Sequence, residues 1–220
     1  MTSVWAHRGA STVEVENTVA AFEAAVRLGA DGVELDVRAT ADGAPAVHHD
    51  ARLSDGRAIA DVTAAELPTY VPLLEAALDA CGSLVVNIEI KEPRSIADAV
   101  AVLIRARGIA DRVVVSSFDL ATIDRVRAID GCVPTGFLAA PPHRTLAARA
   151  LSVCLRHGHR AFHPHHRAVD ARLIDRAHEA GVAVNTWTVD NPSRMTALAA
   201  IGVDAIVTNV PDVALRTYGR

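Results

Sequence analysis

The sequence Gly32-Val33-Glu34-Leu35-Asp36-Val37 sets two carboxylates two positions apart in an otherwise apolar run. Side chains of a β-strand alternate between its faces, so Glu34 and Asp36 share one face and the apolar residues share the other. The apolar face can pack against helices, which turns both carboxylates towards the interior of a sheet or barrel. Because buried charges are costly unless they are paired or bind a cation, the strand predicts one of these two arrangements.

A second stretch, Asn87-Ile88-Glu89-Ile90-Lys91, repeats this pattern with an acid and a base on one face. Together the two strands predict one oxygen-rich metal site, formed by Glu34, Asp36 and Glu89. Oxygen ligands favour Mg²⁺ or Ca²⁺ over zinc, so we expect one such divalent cation. The alternative is that Arg8 or Lys91 forms salt bridges with the carboxylates and no metal binds.

Composition argues against several classes of protein. The chain has 220 residues, which suits one domain with a sizeable core, and we expect this domain to span residues 1–220. No stretch approaches the roughly 20 apolar residues of a membrane span, so stable membrane insertion is not expected. The net charge of −4 comes from interspersed acids and bases, which argues against a nucleic-acid partner. The N-terminus has no signal pattern and the cysteines have no metal-type spacing, so we expect a cytoplasmic protein.

Short β-branched runs alternate with segments of helical pattern along the chain. The predicted strands are residues 4–6, 32–37, 84–90, 113–117, 135–138, 161–163, 182–188 and 205–208. The predicted helices are residues 18–28, 72–80, 96–107, 120–129, 144–157, 171–180, 192–200 and 213–218. Eight strands that are each followed by a helix predict an α/β protein with a single (β/α)₈ barrel, the TIM-barrel fold. A doubly wound open sheet is the alternative, but it usually has fewer strands and a Gly-rich phosphate turn, which is absent here.

One long connection, residues 50–71, follows the second predicted barrel strand and carries polar turn residues. We expect this short insertion to lie over the C-terminal mouth of the barrel, where active sites form. The same rule brings the residues at strand ends to the mouth. They are His7, Arg8, Glu34, Asp36, His48, His49, Asp50, Glu89, Lys91, Ser116, Ser117, His163, His165, Trp187 and Asn209.

This set suits the chemistry of a phosphate ester, because it combines an acidic metal site with cations and possible proton carriers. A bound cation would polarise a phosphoryl oxygen, and two histidines could act as general base and general acid. His163 and His165 could line the mouth or be structural. We expect four other histidines to be surface or loop residues, namely His157, His159, His166 and His178.

These motifs resemble the glycerophosphodiester phosphodiesterase family, within a wider group of barrel phosphodiesterases that includes phosphatidylinositol-specific phospholipase C. The matching segments, in order, are His7-Arg8-Gly9, Glu16-Asn17-Thr18, Ala21-Phe22, residues 29–37, Thr40, Asp42-Gly43, His49-Asp50, Leu53, Glu89-Ile90-Lys91, Ser117-Phe118, Trp187-Thr188-Val189, residues 202–208 and Pro211-Asp212. Any one triplet is weak, but the ordered set covers nearly the whole chain and is highly specific.

The resemblance implies a metal-dependent hydrolase that splits glycerophosphodiesters, its small-molecule substrates, into sn-glycerol 3-phosphate and an alcohol. By matching position, Glu34, Asp36 and Glu89 would hold the metal, His7 and His49 would be the acid/base pair, Arg8 and Lys91 would bind phosphate, and Trp187 would line the substrate pocket. In the related phospholipases the substrate's own neighbouring hydroxyl attacks phosphorus and forms a cyclic phosphate, and we expect the same course here.

Three departures from the family pattern bear on headgroup preference. The insertion after the His-Asp pair is short, Val15 replaces an expected proline, and Asn209 replaces a common aspartate. The alternatives are a lysophospholipase D or sphingomyelinase D type activity on lipids, a Mg²⁺-dependent aldolase-type barrel, and a binding-only barrel. A lipid substrate needs an apolar groove at the mouth, and the polar 51–61 segment argues against one.

Overall fold

Eight parallel strands close into a barrel in the computed structural model, which describes residues 1–91, 96–140 and 143–220. The strands are β1 (Ser3–His7), β2 (Gly32–Ala39), β3 (Pro45–Val47), β4 (Val85–Ile90), β5 (Val113–Ser117), β6 (Thr135–Ala139), β7 (Ala161–Pro164), β8 (Ala183–Thr186) and β9 (Ala205–Thr208). The barrel order is β1-β9-β8-β7-β6-β5-β4-β2, and pairing of β1 with β2 closes it. The predicted (β/α)₈ barrel is therefore confirmed.

Helices alternate with the barrel strands and cover the outside of the barrel. They are α1 (Val19–Leu28), α2 (Leu74–Ala80), α3 (Ala97–Arg107), α4 (Leu120–Ile129), α5 (Arg144–His157), α6 (Ala171–Glu179), α7 (Pro192–Ala200) and α8 (Pro211–Thr217). Val33, Leu35 and Val37 of β2 are fully buried in the same apolar cluster as Phe22 of α1. The apolar face of β2 therefore faces the helices, and its carboxylates face inward.

One short strand just before the insertion lies outside the barrel. Strand β3 pairs antiparallel with the C-terminal end of β2, with Val47 opposite Val37. Single helical turns at Ile59–Asp61 and Ala64–Glu66 follow, and this segment has its own small core of Ala46, Leu53, Ile59, Val62 and Val71. The insertion is thus held at the mouth end of β2.

Strand β8 is shorter than the predicted 182–188 segment, since it ends at Thr186. Trp187 continues in extended form and makes a single parallel bridge with His165. Within the described residues, no helix combines the length and apolar composition that crossing a membrane requires. The cytoplasmic location and the extent of the domain, residues 1–220, stay predictions.

Candidate active site

Three carboxylates from two neighbouring strands meet inside the mouth of the barrel. Strand register sets Asp36 of β2 beside Glu89 of β4. Glu34, Asp36 and Glu89 are all buried, and one oxygen of each lies within 4.8 Å of one oxygen of each of the others. The arrangement brings together the three residues that the sequence predicts as metal ligands.

Two basic side chains, those of Lys91 and Arg8, bind the carboxylate of Asp36. The Lys91 Nζ lies 2.9 Å from Asp36 Oδ1 and 2.5 Å from Glu89 Oε1. The Arg8 Nε lies 3.2 Å from Asp36 Oδ2, and its Nη1 donates to Glu16 Oε1 at 2.8 Å. The predicted phosphate-binding cations therefore reach the same place as the predicted metal ligands, and the salt bridges considered as the alternative to a metal are present.

Asn17 fixes the position of Asp36, a role that sequence reasoning missed. Its side-chain Nδ2 donates to Asp36 Oδ2 at 2.8 Å, and its Oδ1 accepts from the Asp36 backbone N–H at 3.3 Å. Asn17 is buried and has a left-handed backbone with φ 57°, which asparagine tolerates better than most residues. In the sequence, this role was indicated only by the place of Asn17 in the Glu16-Asn17-Thr18 motif.

The three carboxylates differ in the direction in which their pKa values are shifted. Burial, together with the charges of Asp36 and Glu89, raises the pKa of Glu34 well above its usual range. Burial also raises the pKa of Glu89, although Lys91 opposes this. Burial would raise the pKa of Asp36 as well, but Lys91 and Arg8 hold it below its usual range. Negative charge at Glu34 and Glu89 is thus only partly balanced by the protein.

Unpartnered oxygen atoms face the interior next to the carboxylates. A cavity of about 30 Å³ is lined by His7, Glu34, Asn87, Glu89, Leu138, His163, Trp187 and Val207. Glu34 Oε1 and Asn87 Oδ1 are buried and have no hydrogen-bond partner among the described residues. Buried polar atoms normally have a partner, so these oxygens fit a hard divalent cation with its water. Asn87 lies two positions before Glu89 on β4, so strand alternation also places it on the interior face.

His7 is held in one orientation at the end of β1. Its Nδ1 lies 2.6 Å from Asn209 Oδ1, and Asn209 Nδ2 donates to Asp190 Oδ2 at 2.7 Å. The Nε2 of His7 faces Glu34, with Oε2 3.8 Å away. Burial lowers the pKa of His7, although the hydrogen bond to Asn209 opposes this.

His49 lies on the rim rather than in the interior, with 36% of its side chain exposed. Its Nδ1 lies 2.9 Å from Asp50 Oδ1, and its backbone carbonyl accepts from Arg38 Nε at 2.8 Å. The neighbouring His48 N–H donates to the Asp36 carbonyl at 3.0 Å. The pairing of β3 with β2 therefore carries His49 to the mouth end of the strand that bears Asp36.

Aromatic side chains form one wall of the mouth. The Trp187 Nε1 donates to the His163 carbonyl at 2.8 Å, which fixes the indole. Phe118 contacts Trp187 edge-on at 5.6 Å between ring centroids, and His165 contacts it edge-on at 5.3 Å. Phe118 is half exposed and was not assigned a role from the sequence, although it belongs to the Ser117-Phe118 motif.

The remaining histidines and serines differ in burial. The His163 ring accepts from Asn185 Nδ2 at 3.1 Å and lies against Gly136, and burial lowers the pKa of His163 to about 3, so it lines the cavity as a neutral ring. Ser117 Oγ donates to the Ile90 carbonyl at 2.8 Å, a structural bond between strands. His159 lies in the loop between α5 and β7, as expected, but its side chain is buried against Thr135.

Comparison with known proteins gives a consistent result. Residues 7–213 match the model of the glycerophosphoryl diester phosphodiesterase family. The chain is 30% identical to the glycerophosphodiester phosphodiesterase of Caldanaerobacter subterraneus subsp. tengcongensis, over 97% of this chain and 96% of the relative. It is also 30% identical to the glycerophosphodiester phosphodiesterase of Bacillus altitudinis, over 98% of each chain. A glycerophosphodiester phosphodiesterase structure from Thermotoga maritima superimposes with a TM-score of 0.86 and 27% identity, over 100% of this chain and 99% of that one.

Proposed function

The chain belongs to the glycerophosphoryl diester phosphodiesterase family, and we propose that it hydrolyses glycerophosphodiesters to sn-glycerol 3-phosphate and an alcohol by histidine acid/base catalysis. The observation that carries this proposal is the meeting of three buried carboxylates with Arg8 and Lys91 at the barrel mouth. An acidic pocket alone would repel a phosphodiester, whereas this one also contains the cations to receive it.

Glu34, Asp36 and Glu89 would hold one divalent cation, and the unpartnered Asn87 oxygen supports the same site. Hard oxygen donors suit Mg²⁺ or Ca²⁺, and such an ion would supply Lewis-acid stabilisation of charge on the phosphoryl oxygens. Arg8 and Lys91 would bind the remaining phosphoryl oxygens. Both side chains contact Asp36, so their positive charges lie beside the proposed metal ligands.

His7 is the proposed general base. Asn209 accepts a hydrogen bond from Nδ1, which leaves the Nε2 lone pair on the cavity side. This atom would take the proton of the glycerol 2-hydroxyl while the hydroxyl oxygen attacks phosphorus. A nucleophile within the substrate gains from effective molarities of about 10⁵–10⁸ M for well-placed groups.

His49 is the proposed general acid. Asp50 binds its Nδ1, so Nε2 is the atom that would protonate the leaving alkoxide as the bond from phosphorus to the alcohol oxygen breaks. The product of this step is a cyclic phosphate. Water would then open the ring as the two histidines exchange their proton roles, which gives glycerol 3-phosphate and returns both rings to their starting states.

The direct test is release of glycerol 3-phosphate from glycerophosphocholine by the purified protein. We expect turnover that EDTA abolishes and Mg²⁺ or Ca²⁺ restores, and a rise in melting temperature on adding the ion, because binding to the folded state stabilises it. Full turnover in EDTA would refute the metal assignment, and absence of turnover with either ion would refute the substrate class.

One observation favours lysolipids as additional substrates. A mostly apolar cleft of about 620 Å³ lies between the start of α1 and the end of the insertion. Its lining is Glu14, Val15, Thr18, Val19, Ala20, Thr69, Tyr70 and Pro72. Glu16, next to Val15, binds Arg8, so the cleft adjoins the proposed phosphate site and fits an acyl chain attached to the glycerol.

This second candidate is tested by comparing kcat/KM on lysophosphatidylcholine and on glycerophosphocholine. Charging the cleft with Val15→Asp should lower the ratio of the two values by about tenfold or more, since apolar contacts discriminate on this scale. Val102→Asp charges another exposed valine, on the outer helix α3, and should leave the ratio unchanged. Equal ratios in the wild type and Val15→Asp would exclude the cleft as an acyl site.

A further inference from the structure

A second group of potential metal ligands lies at the opposite end of the barrel from the carboxylates. Asp124 is on α4, His157 is the last residue of α5, and His159 precedes β7. One ligand atom from each residue lies within 4.8 Å of those of the other two. The group is next to Thr135, the first residue of β6, and so belongs to the N-terminal end of the barrel.

His159 is the buried member of this group. Its Nδ1 lies 2.9 Å from Thr135 Oγ1, which fixes the orientation of the ring. Its Nε2 is buried, has no hydrogen-bond partner among the described residues, and points at Asp124 Oδ1 from 3.4 Å. Two ligands of a tetrahedral zinc ion, each about 2.0–2.1 Å from the metal, lie about 3.4 Å apart. The Nε2 to Oδ1 distance therefore suits two ligands of one ion.

His157 and Asp124 connect the buried ring to solvent. The His157 Nδ1 lies 2.8 Å from Asp124 Oδ2, and the rings of His157 and His159 stack with centroids 5.9 Å apart. Both His157 and Asp124 are partly exposed. A cleft of about 450 Å³ that is lined in part by Asp124 and Thr135 provides an entry path and room for water.

We propose that Asp124, His157 and His159 bind a zinc-type divalent ion, with water as the fourth ligand. Two imidazoles and one carboxylate are a donor set for Zn²⁺, whereas the all-oxygen site at the mouth suits Mg²⁺ or Ca²⁺. Thr135 acts as the residue that orients a ligand, the usual arrangement around a metal-bound histidine. The ion would link α4 to the end of α5, away from the reacting atoms, so the site is structural.

Arg127 opposes the binding of a cation here. It lies one helical turn after Asp124, and its Nη1 donates to the His157 carbonyl. Its positive charge acts on His159 and would repel a cation bound there. Replacing the guanidinium by an uncharged amide should therefore tighten binding of the ion.

The test uses Zn²⁺ titrations by calorimetry on protein freed of metal with EDTA. The wild type should bind Zn²⁺ at two sites, and the Glu34→Gln/Glu89→Gln double variant, which lacks the acidic site, should keep one. In that background His157→Ala should abolish the remaining site, Thr135→Val should weaken it about 10–100-fold, and Arg127→Gln should strengthen it. Melting temperatures measured with and without Zn²⁺ should rank in the same order.

His178→Ala is the matched control, because His178 also pairs with an aspartate, Asp204, at 2.8 Å and has similar exposure. It should not change Zn²⁺ binding. If circular dichroism shows that the double variant does not fold, the wild type and the His157→Ala variant are compared directly. The wild type should bind Zn²⁺ at two sites and His157→Ala at one. Equal binding by the His157→Ala and His178→Ala proteins would overturn the proposal, whatever the outcome for phosphodiester hydrolysis.

Discussion

His7 and Asn209 are joined by a 2.6 Å contact between Nδ1 and the side-chain oxygen. Asn209 Nδ2 donates to Asp190, so its oxygen faces His7 and must accept the Nδ1 proton. This chain therefore orients the histidine with a neutral amide and not with a carboxylate. This contact holds the ring in one tautomer and brings no carboxylate to Nδ1.

The first prediction concerns the pH dependence that follows from this pair. Burial lowers the pKa of His7, and a general base must be unprotonated, so kcat/KM should fall only as the pH drops through a value below 6.5, the usual histidine pKa. Exchanging amide and carboxylate in the Asp190→Asn/Asn209→Asp double variant would set a negative charge beside Nδ1. The pKa of His7 should rise, and the acid limb of the kcat/KM profile should move to higher pH. An unmoved acid limb would remove His7 from the role of base.

A second prediction concerns protons released by the metal. Burial and neighbouring carboxylates raise the pKa of Glu34, so at any pH below that pKa the group holds a proton that a divalent cation must displace. Affinity for Mg²⁺ should therefore increase with pH up to that pKa. Calorimetry in two buffers of different ionisation enthalpy should detect proton release, and Glu34→Gln should lose both the release and most of the affinity. The control is Glu23→Gln, which alters an exposed carboxylate and should release protons and bind Mg²⁺ as the wild type does. If Glu34→Gln also behaves as the wild type, Glu34 is not a metal ligand.

A third prediction separates proton transfer from metal binding. General acid/base groups contribute about 10²–10⁴-fold to rate, so His7→Ala and His49→Ala should each lose that much in kcat and still bind the cation. The double variant should lose little more than either single one if the two residues act together. His48→Ala, which removes an adjacent ring bonded to the Asp50 carbonyl, serves as the control. Loss of cation binding in either variant would make that histidine a metal ligand.

The fourth prediction tests the attacking group. A glycerophosphocholine analogue that lacks the glycerol 2-hydroxyl should be turned over several orders of magnitude more slowly, because the internal nucleophile is missing. Its inhibition constant should stay near the KM of the parent compound. Similar turnover of the two compounds would mean that water attacks phosphorus directly.

The fifth prediction concerns the turn that carries Arg8. Gly9 has φ 80°, and a Cβ built on it would lie 2.7 Å from the backbone carbon of Ala21. Gly43 has φ 78°, and a Cβ built on it would have no neighbouring atom within 4 Å. Gly43→Ala should cost about 1–2 kcal/mol of unfolding free energy for the left-handed backbone, and Gly9→Ala about 1–3 kcal/mol more for overlap. Denaturant unfolding of both variants measures the difference; equal losses would contradict the crowding at Gly9.

The sequence was enough to predict the eight barrel strands and the inward carboxylates, because both depend on local alternation. Six residues of one strand are enough to place Glu34 and Asp36 on the same face. Strand alternation also predicts that Glu89 faces the interior. The groups that orient the site were not predictable in this way. Asn17 acts on a residue 19 positions away, and Asn209 acts on one 202 positions away.

Burial of His159 was missed for the same reason, since it depends on packing against Thr135, 24 positions earlier. Local composition around His159, with His157 and Arg160 nearby, is typical of an exposed turn. The ring is buried because the turn packs against Thr135 at the start of β6. Contacts of this kind are set by the closed barrel and are not visible in any short window of sequence.

The pairing of β1 with β9 makes the proposed base depend on a distant part of the chain. His7 is the last residue of β1, whereas Asn209, which orients its ring, directly follows β9. A chain that ends before β9 would contain both proposed catalytic histidines and all three proposed metal ligands, yet its base would have no fixed tautomer. Phosphodiester hydrolysis should therefore require that the pairing of β1 with β9 has closed the barrel.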